Sequence, residues 1–374
     1  MVEIVDRRET ERLVRAIRTA QASGVQTALA TVIRVRGSAY RREGTRMVVR
    51  EDGTYECALS GSCLEPTVAE RALSVITSGE PLIVNYDLAD DLLWGLGMGC
   101  SGAVDILIER IDDDQITREW LTVLDRAEKA VQITPLSGAS GRIIVHETGT
   151  VAGTLSDASV ARMATERAHE LLREARPNAH AGMIEGAEIF FEISVPPPSL
   201  VIFGAGHDAV PIAELGWTMG FAVTVVDVRE AFLSAERFPN ARLVLAHFSE
   251  FANRVVVTPE TFVLVLNHHT ERDQESLRFA LSADAAYIGM LGPRARYEKL
   301  LSGLKADGFV PRPAALGRVR SPVGLSLGAE TPEEVAVSIM GEILAVQRGF
   351  DGGFLEGWAG SLHRPVEKRL LARS

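Results

Sequence analysis

Cysteine and lysine are scarce in this chain of 374 residues, and long apolar runs are missing. The three cysteines, Cys57, Cys63 and Cys100, are too few and odd in number for a disulfide framework. No CxxC or HxxxH spacing exists, which argues against a structural zinc site. Lysine occurs only at 129, 299, 305 and 368, so arginine supplies most of the 39 basic residues, against 50 acidic ones. The net charge of −11 argues against non-specific binding of nucleic acid or of an anionic membrane surface, since both favour basic faces. No run approaches the roughly 20 apolar residues of a membrane span. The charged N-terminal stretch MVEIVDRRETERLVRAI has no apolar core of the kind a signal peptide needs. A cytoplasmic protein without membrane or nucleic-acid partners is the expectation. The length allows two or three domains with proper cores.

The stretch that organises the rest is SLVIFGAGHDAVPIAELGWTMGFAVTVVDVR, Ser199 to Arg229. A short apolar run ends in Gly204-Ala205-Gly206, helix-spaced apolar residues follow, and a second apolar run ends on Asp227. Strand, tight turn, helix, strand and acid in that order open a dinucleotide-binding fold. Gly204 allows the turn, and Gly206 lets a phosphate approach the backbone at a helix N-terminus. Asp227 is placed to accept from ribose hydroxyls, with Arg229 beside it. Gly204, Gly206, His207, Asp227 and Arg229 are therefore candidate cofactor contacts.

The N-terminal half alternates short β-branched runs with helical segments. Strands are expected over 27–35, 46–50, 54–59, 82–86 and 103–109, and helices over 6–22, 67–77 and 116–130. Strands over 131–136, 143–146, 150–155, 180–184 and 188–195 and a helix capped by Asp157 complete that half. No internal repeat is apparent. Pro196-Pro197-Pro198 reads as a stiff linker. The expected fold class is α/β, with a C-terminal Rossmann-like parallel sheet domain and an N-terminal mixed α+β domain. The expected divisions are 1–112, an α+β extension over 113–195, the Rossmann-like domain over 196–350, and a tail over 351–374. Thr331, Pro332 and Glu334 predict a sharply capped helix start.

Four constellations could carry chemistry. Cys63 and Cys100 lie in glycine- and serine-rich words, SGSC and GMGCSG, where a thiol is accessible and a helix N-terminus can stabilise a thiolate; the residues alone allow equally that each is a small apolar residue in a tight turn. Cys57, inside YECAL, reads as structural. Gly37 and Ser38 with Arg41, Arg42 and Arg46 make an oxyanion clamp, or else a solvated loop. Asn267-His268-His269 ends the fourth Rossmann strand, where ligands lie in open α/β sheets, and Asp273 is placed to orient either ring. Arg294 and Arg296 at a helix start oppose its dipole, which calls for a neutralising anion or for surface ion pairs.

Taken together, ATVIRVRGSAYRREGTRMVV, LSGSCLE, GLGMGCSGAVDILIE, VIFGAGHDAVPIAELGWTMGFAVTVVDVR, YIGMLGPRARYEKL and SPVGLSLGAETPEEVAVSI resemble the xanthine dehydrogenase accessory proteins, the XdhC/CoxI family. The resemblance spans nearly the whole chain. It implies a chaperone that binds molybdenum cofactor, helps a cysteine desulfurase supply its terminal sulfur, and delivers it to an apo molybdenum hydroxylase such as xanthine dehydrogenase. A homodimer is expected for such a family. The implied cargo contacts are Cys63 and Cys100, either of which can meet molybdenum or its sulfur, together with Ser60, Gly61, Glu65, Gly37, Ser38, Arg41, Arg46, Gly99, Gly204, Gly206, His207, Asp227, Arg229, His268 and Arg294. The sequence departs from the family pattern at Tyr40, at Gly61-Ser62, at Asn267-His268-His269 and at Pro293, all in proposed ligand loops. The competing expectation from the residues is an NAD(P)-dependent oxidoreductase with His268 or His269 as proton relay. A third is a Rossmann unit kept only for docking partners.

Overall fold

The computed structural model describes residues 7–37, 39, 41–61, 64–87, 102–174 and 179–356. They fall into two compact units, Met1–Pro196 and Pro197–Ser374. Among the described residues no helix is long and apolar enough to cross a membrane.

The first unit begins with α1 (Arg7–Ala22), β1 (Thr27–Gly37), β2 (Arg46–Arg50), β3 (Tyr55–Glu56), α2 (Glu65–Ser78), β4 (Leu82–Asp87) and β5 (Gly102–Ile111). These strands form one antiparallel sheet in the order β3-β2-β1-β5-β4. One face carries Ala28, Ala30, Val32, Val49, Ile106 and Ile108, which bury the apolar stripe Val68, Ala72, Val75 and Ile76 of α2. Each fully buried valine or isoleucine among them contributes about 1.5–3 kcal/mol. Then come α3 (Gln115–Arg126), β6 (Ala130–Ser137), β7 (Gly141–His146), β8 (Val151–Leu155), α4 (Ala158–Glu174), β9 (Ala179–Ile184) and β10 (Ala187–Ser194). Their sheet runs β8-β7-β6-β10-β9 and packs on α4 through Val131, Ile143, Ala164, Ala168 and Phe191. The absence of a repeat, as read from the sequence, is therefore corrected: the unit contains one strand order twice.

Two boundaries also differ from expectation. The third strand stops at Glu56, because Cys57 turns left-handed (φ +67°) with its Sγ–H donating to the Glu9 carbonyl. Burial pushes the Cys57 thiol up to about 11, so it is not a nucleophile near neutral pH. Helix α3 ends at Arg126 rather than near 130, because Ala127 adopts φ +51°. Asp157 does cap α4, accepting from the Ser159 and Val160 N–H groups.

The second unit is a parallel sheet with helices on both faces. It contains β11 (Ser199–Phe203), α5 (Ala209–Thr218), β12 (Ala222–Asp227), β13 (Arg242–Leu245), α6 (Phe251–Arg254), β14 (Phe262–Val265), α7 (Thr270–Ser282), β15 (Tyr287–Met290), α8 (Arg294–Ala306), α9 (Pro313–Leu316), β16 (Val319–Arg320) and α10 (Pro332–Arg348). The order β13-β12-β11-β14-β15-β16 is that of a dinucleotide-binding Rossmann sheet. Alternate residues divide between two cores. Leu200, Ile202, Val223, Val225 and Leu264 pack on α5 and α10, while Val201, Phe203, Val226, Val263 and Val265 face α7 and α8. Thr331 and Glu334 close the capping box that starts α10, each side chain accepting from the other's backbone N–H at 3.2 Å.

Candidate functional site

In the second unit the strand order reverses between β11 and β14, and the crevice outside their carboxyl ends is where such sheets take ligands. Gly204 leaves β11 at φ +107°. A Cβ there would stand 2.6 Å from the Leu266 carbonyl oxygen and 2.8 Å from the Cα of Asn267. Glycine at 204 is thus demanded by the neighbouring strand's backbone. Gly206 differs: a Cβ there would meet only Cδ2 of His268, at 4.0 Å. The protein's own packing does not require a glycine at that position. His207 beside it is exposed.

Asp227 at the end of β12 is buried, and both its oxygens are taken. Oδ2 accepts from the Ala205 N–H at 2.7 Å and from Nη2 of Arg229 at 2.8 Å. Oδ1 accepts from the N–H and from Nε of Arg229, both at 2.9 Å. Burial alone would raise its pKa, but the donors from Arg229 and Ala205 outweigh that and hold it below the usual carboxylate range. The Arg229 guanidinium lies 3.9 Å from the centre of the Phe232 ring. Arg237, on the same ring, donates to the carbonyls of Phe232 (2.6 Å) and Gly206 (3.0 Å). The carboxylate expected to face a ribose thus braces the turn and holds Arg229. Arg229 is correspondingly its internal counter-ion.

At the end of β14, His268 adopts φ +55°, uncommon for a side chain other than glycine, and its Nε2 lies 2.8 Å from Oδ2 of Asp208. The contact links the turns after β11 and β14, with the imidazole 59% exposed. Asp273 orients neither histidine. Its buried carboxylate accepts from the Asn267 N–H at 3.0 Å, from Asn267 Nδ2 at 3.1 Å, and from the Arg296 guanidinium. The anion that neutralises Arg296 is therefore the protein's own. Arg294 is exposed and pairs with Glu298 at 3.1 Å, an ordinary surface pair. His269 caps α7 through Nδ1. Replacing His268 with glycine removes left-handed strain of about 1–2 kcal/mol and an exposed contact worth at most about 1 kcal/mol. Urea unfolding of His268→Gly should thus show stability equal to or above that of the wild type. A clear loss would instead show that the imidazole holds the two turns together.

In the first unit, β1 ends at Gly37 (φ +73°), directly opposite Gly102 at the start of β5. Ser38, Cys63, Gly99 and Cys100 lie outside the described residues. What holds the turn before α2 is visible. Glu65 is buried, and its carboxylate accepts from the Leu59 N–H (3.0 Å), the Ser60 N–H (2.7 Å) and the Ser60 hydroxyl (2.8 Å). Ser60 Oγ in turn accepts from the Leu64 N–H at 3.2 Å. Ser60 and Glu65 thus brace the turn; Gly61 sits in it with nothing within 4 Å of a would-be Cβ.

Two arginines of the expected oxyanion clamp have acidic partners within the protein. Arg41 pairs with Glu9 at 2.7 Å, and the buried Arg46 pairs with Glu192 and lies over the Trp120 ring. Both guanidinium groups are neutralised from within. A cluster that sequence reasoning passed over lies on the next rows of the sheet. Asp105 accepts from Arg34 (2.7 Å), from Arg36 (2.6 Å) and from Nδ2 of Asn85 (2.6 Å), and Arg34 also pairs with Glu188. Burial raises the Asp105 pKa and these donors lower it further than that. The signal was present in Arg34-x-Arg36 on one face of a strand, opposite an acid inside VDIL. Among the described residues no group of three or more His, Cys, Asp or Glu could hold a metal ion.

The fold and these sites define a protein of two units, an antiparallel α+β unit and a Rossmann unit with an internally paired acid. Residues 20–87 match the family model described as the XdhC and CoxI family, and residues 200–343 match the XdhC Rossmann domain. A Bacillus subtilis (strain 168) protein, named as a probable subunit of xanthine dehydrogenase, is 32% identical over 86% of this chain and 94% of its own. The Escherichia coli (strain K12) protein named "Molybdenum cofactor insertion chaperone PaoD" is 24% identical over 87% of this chain and 85% of its own. A crystal structure from Bacillus halodurans, titled as a xanthine dehydrogenase, superposes with a TM-score of 0.74 at 30% identity, covering 90% of this chain and 96% of that one. The chain belongs to the XdhC and CoxI family.

Proposed function

We propose that this protein holds molybdenum cofactor as cargo and assists its maturation and insertion into an apo molybdenum hydroxylase of the xanthine dehydrogenase kind. The observation that carries the reading is the paired state of Asp227. A nicotinamide enzyme of this fold reads its ribose with that acid, and here four hydrogen bonds from Ala205 and Arg229 occupy it. A cofactor chaperone has no need of the ribose contact. Gly206, which no packing in the protein explains, leaves backbone open to a phosphate, as the cargo's phosphorylated pterin would use. The name carried by the Escherichia coli relative supports the same reading.

On this proposal Cys63 and Cys100 supply soft sulfur contacts to the molybdenum or its dithiolene. The Glu65 brace sets the turn that leads to Cys63. A cysteine desulfurase is the source of the cofactor's terminal sulfur, and the protein works in the cytoplasm as a homodimer. The test is anaerobic incubation with released cofactor, followed by gel filtration and molybdenum analysis of the protein peak. Wild type is expected to retain molybdenum, and Cys63→Ala or Cys100→Ala to lower retention at least about tenfold, as loss of a metal-site contact does. No retention by wild type overturns the proposal. Equal retention by both variants removes the thiols from it.

A further inference from the structure

The two halves of the first unit match far beyond their common strand order. The β1–β2 ladder opens with Thr27 opposite Arg50, and the β6–β7 ladder with Ala130 opposite His146. The next turns are Glu51-Asp52-Gly53-Thr54 and Glu147-Thr148-Gly149-Thr150, with φ +82° at Gly53 and +87° at Gly149. Glu51 N–H donates to the Gln26 carbonyl at 3.0 Å, and Glu147 N–H donates to that of Lys129 at 3.0 Å. Both central ladders carry a bulge at the same step, skipping Ile33 between Val32 and Arg34, and Leu136 between Pro135 and Ser137. Along RMVVREDGT and RIIVHETGT the residues Arg46, Val49, Glu51, Gly53 and Thr54 recur as Arg142, Val145, Glu147, Gly149 and Thr150.

The halves also meet reciprocally. Arg46 of β2 pairs with Glu192 of β10, and Arg142 of β7 pairs with Glu109 of β5. Those residues are register equivalents: Glu109 stands opposite Leu29, and Glu192 opposite Gln132. Helices α1 and α3, which open the two halves, share one core through Leu13, Ile17, Trp120 and Leu124. Ile33 and Leu107 meet Phe190 and Leu136, again a pair and its equivalent. Contacts of the form i to j and j to i are the mark of a twofold interface.

The halves differ most at one end. The described strand ends Gly37, Glu56, Asp87 and Gly102 share that end, since β3 and β4 run with β1 and β5 runs against it, and the residues between elements there number 38–45, 57–64 and 88–101. The second half closes the same places with 138–140, 156–157 and 185–186. Its end is tight: a Cβ on Gly138 would lie 2.9 Å from the Cα of Ala187.

We infer that residues 7–111 and 115–194 are two copies of one αβββαββ unit about an approximate twofold axis. The second copy is the internal partner of the first. This inference does not rest on the function proposed above.

One variant of the full chain tests this: the hairpins 46–54 and 142–150 are exchanged between copies. Each hairpin then meets the equivalents of its former partners, Arg142 near Glu192 and Arg46 near Glu109, so the protein should fold with a urea midpoint close to that of the wild type. Failure of the exchanged protein to fold overturns the duplication.

Discussion

Gly204→Ala should unfold the Rossmann unit at markedly lower urea. The added methyl group meets backbone, the Leu266 carbonyl and the Asn267 Cα, which no rotamer change can move. The residue would also be held at φ +107°. Strain of that kind costs about 1–3 kcal/mol, and overpacking against a fixed neighbour adds about 1–3 kcal/mol. A domain stable by about 5–15 kcal/mol loses much of its margin to such a change. Gly206→Ala is the control. It meets only the edge of His268 at 4.0 Å, so the stability change should stay within about 0.5 kcal/mol. Chemical denaturation of the two variants measures the contrast directly. Equal midpoints for both would show that the turn can shift away from β14.

Asp227→Ala should be nearly as damaging. It strands the Ala205 N–H and a guanidinium that is only partly exposed. An unsatisfied buried donor costs about 1–3 kcal/mol, more where the lost partner was charged. The effect carries a pH signature. The folded-state pKa of Asp227 lies below its ordinary value, so the unfolded chain binds the proton more readily. Its stabilisation is therefore complete above the unfolded carboxylate value of about 3.9 and is lost as pH falls through the lower folded value. The stability gap between wild type and Asp227→Ala, measured by thermal melts, should be flat from about pH 7 to about pH 5 and should close in stronger acid. A gap that persists undiminished in acid would mean that the carboxylate acts through shape alone. Arg229→Ala should show the same closure, because it removes the other half of the pair.

Much of the second unit was legible because its determinants are local. The strand, turn, helix and strand of 199–227 follow from apolar runs around Gly204, and the start of α10 from Thr331, Pro332 and Glu334. The partners of charged groups were not legible. Arg41 and Arg46 look like free cations in a glycine-containing loop, but their acids lie 32 and 146 residues away. Asp227 and Arg229 are close in sequence, yet only the bend after β12 decides that the arginine folds back instead of pointing to a ligand. Asp273 follows the two histidines closely in sequence, whereas the helix turn aims it at Asn267 and Arg296. The repeat is hidden in the sequence because residue identity survives only along the hairpins, and the connections between strands differ in length. Cys63 and Cys100, the strongest chemical signals in the sequence, lie outside the described residues, so their roles stand on sequence and family.

The bulge at Ile33 lies where the two copies meet. Arg34 follows the bulge in the first copy, where it reaches both Asp105 and Glu188, which occupy equivalent places. The second copy has Ser137 at the position of Arg34. In a dimer of identical chains every substitution is made twice at once, so a residue close to the axis must tolerate its own image. Two halves encoded in one chain are released from that constraint. A mutation can add a cation on one side without adding a second opposite it, and a loop can lengthen on one side while the other stays short. The odd arginine between two matched acids records that freedom.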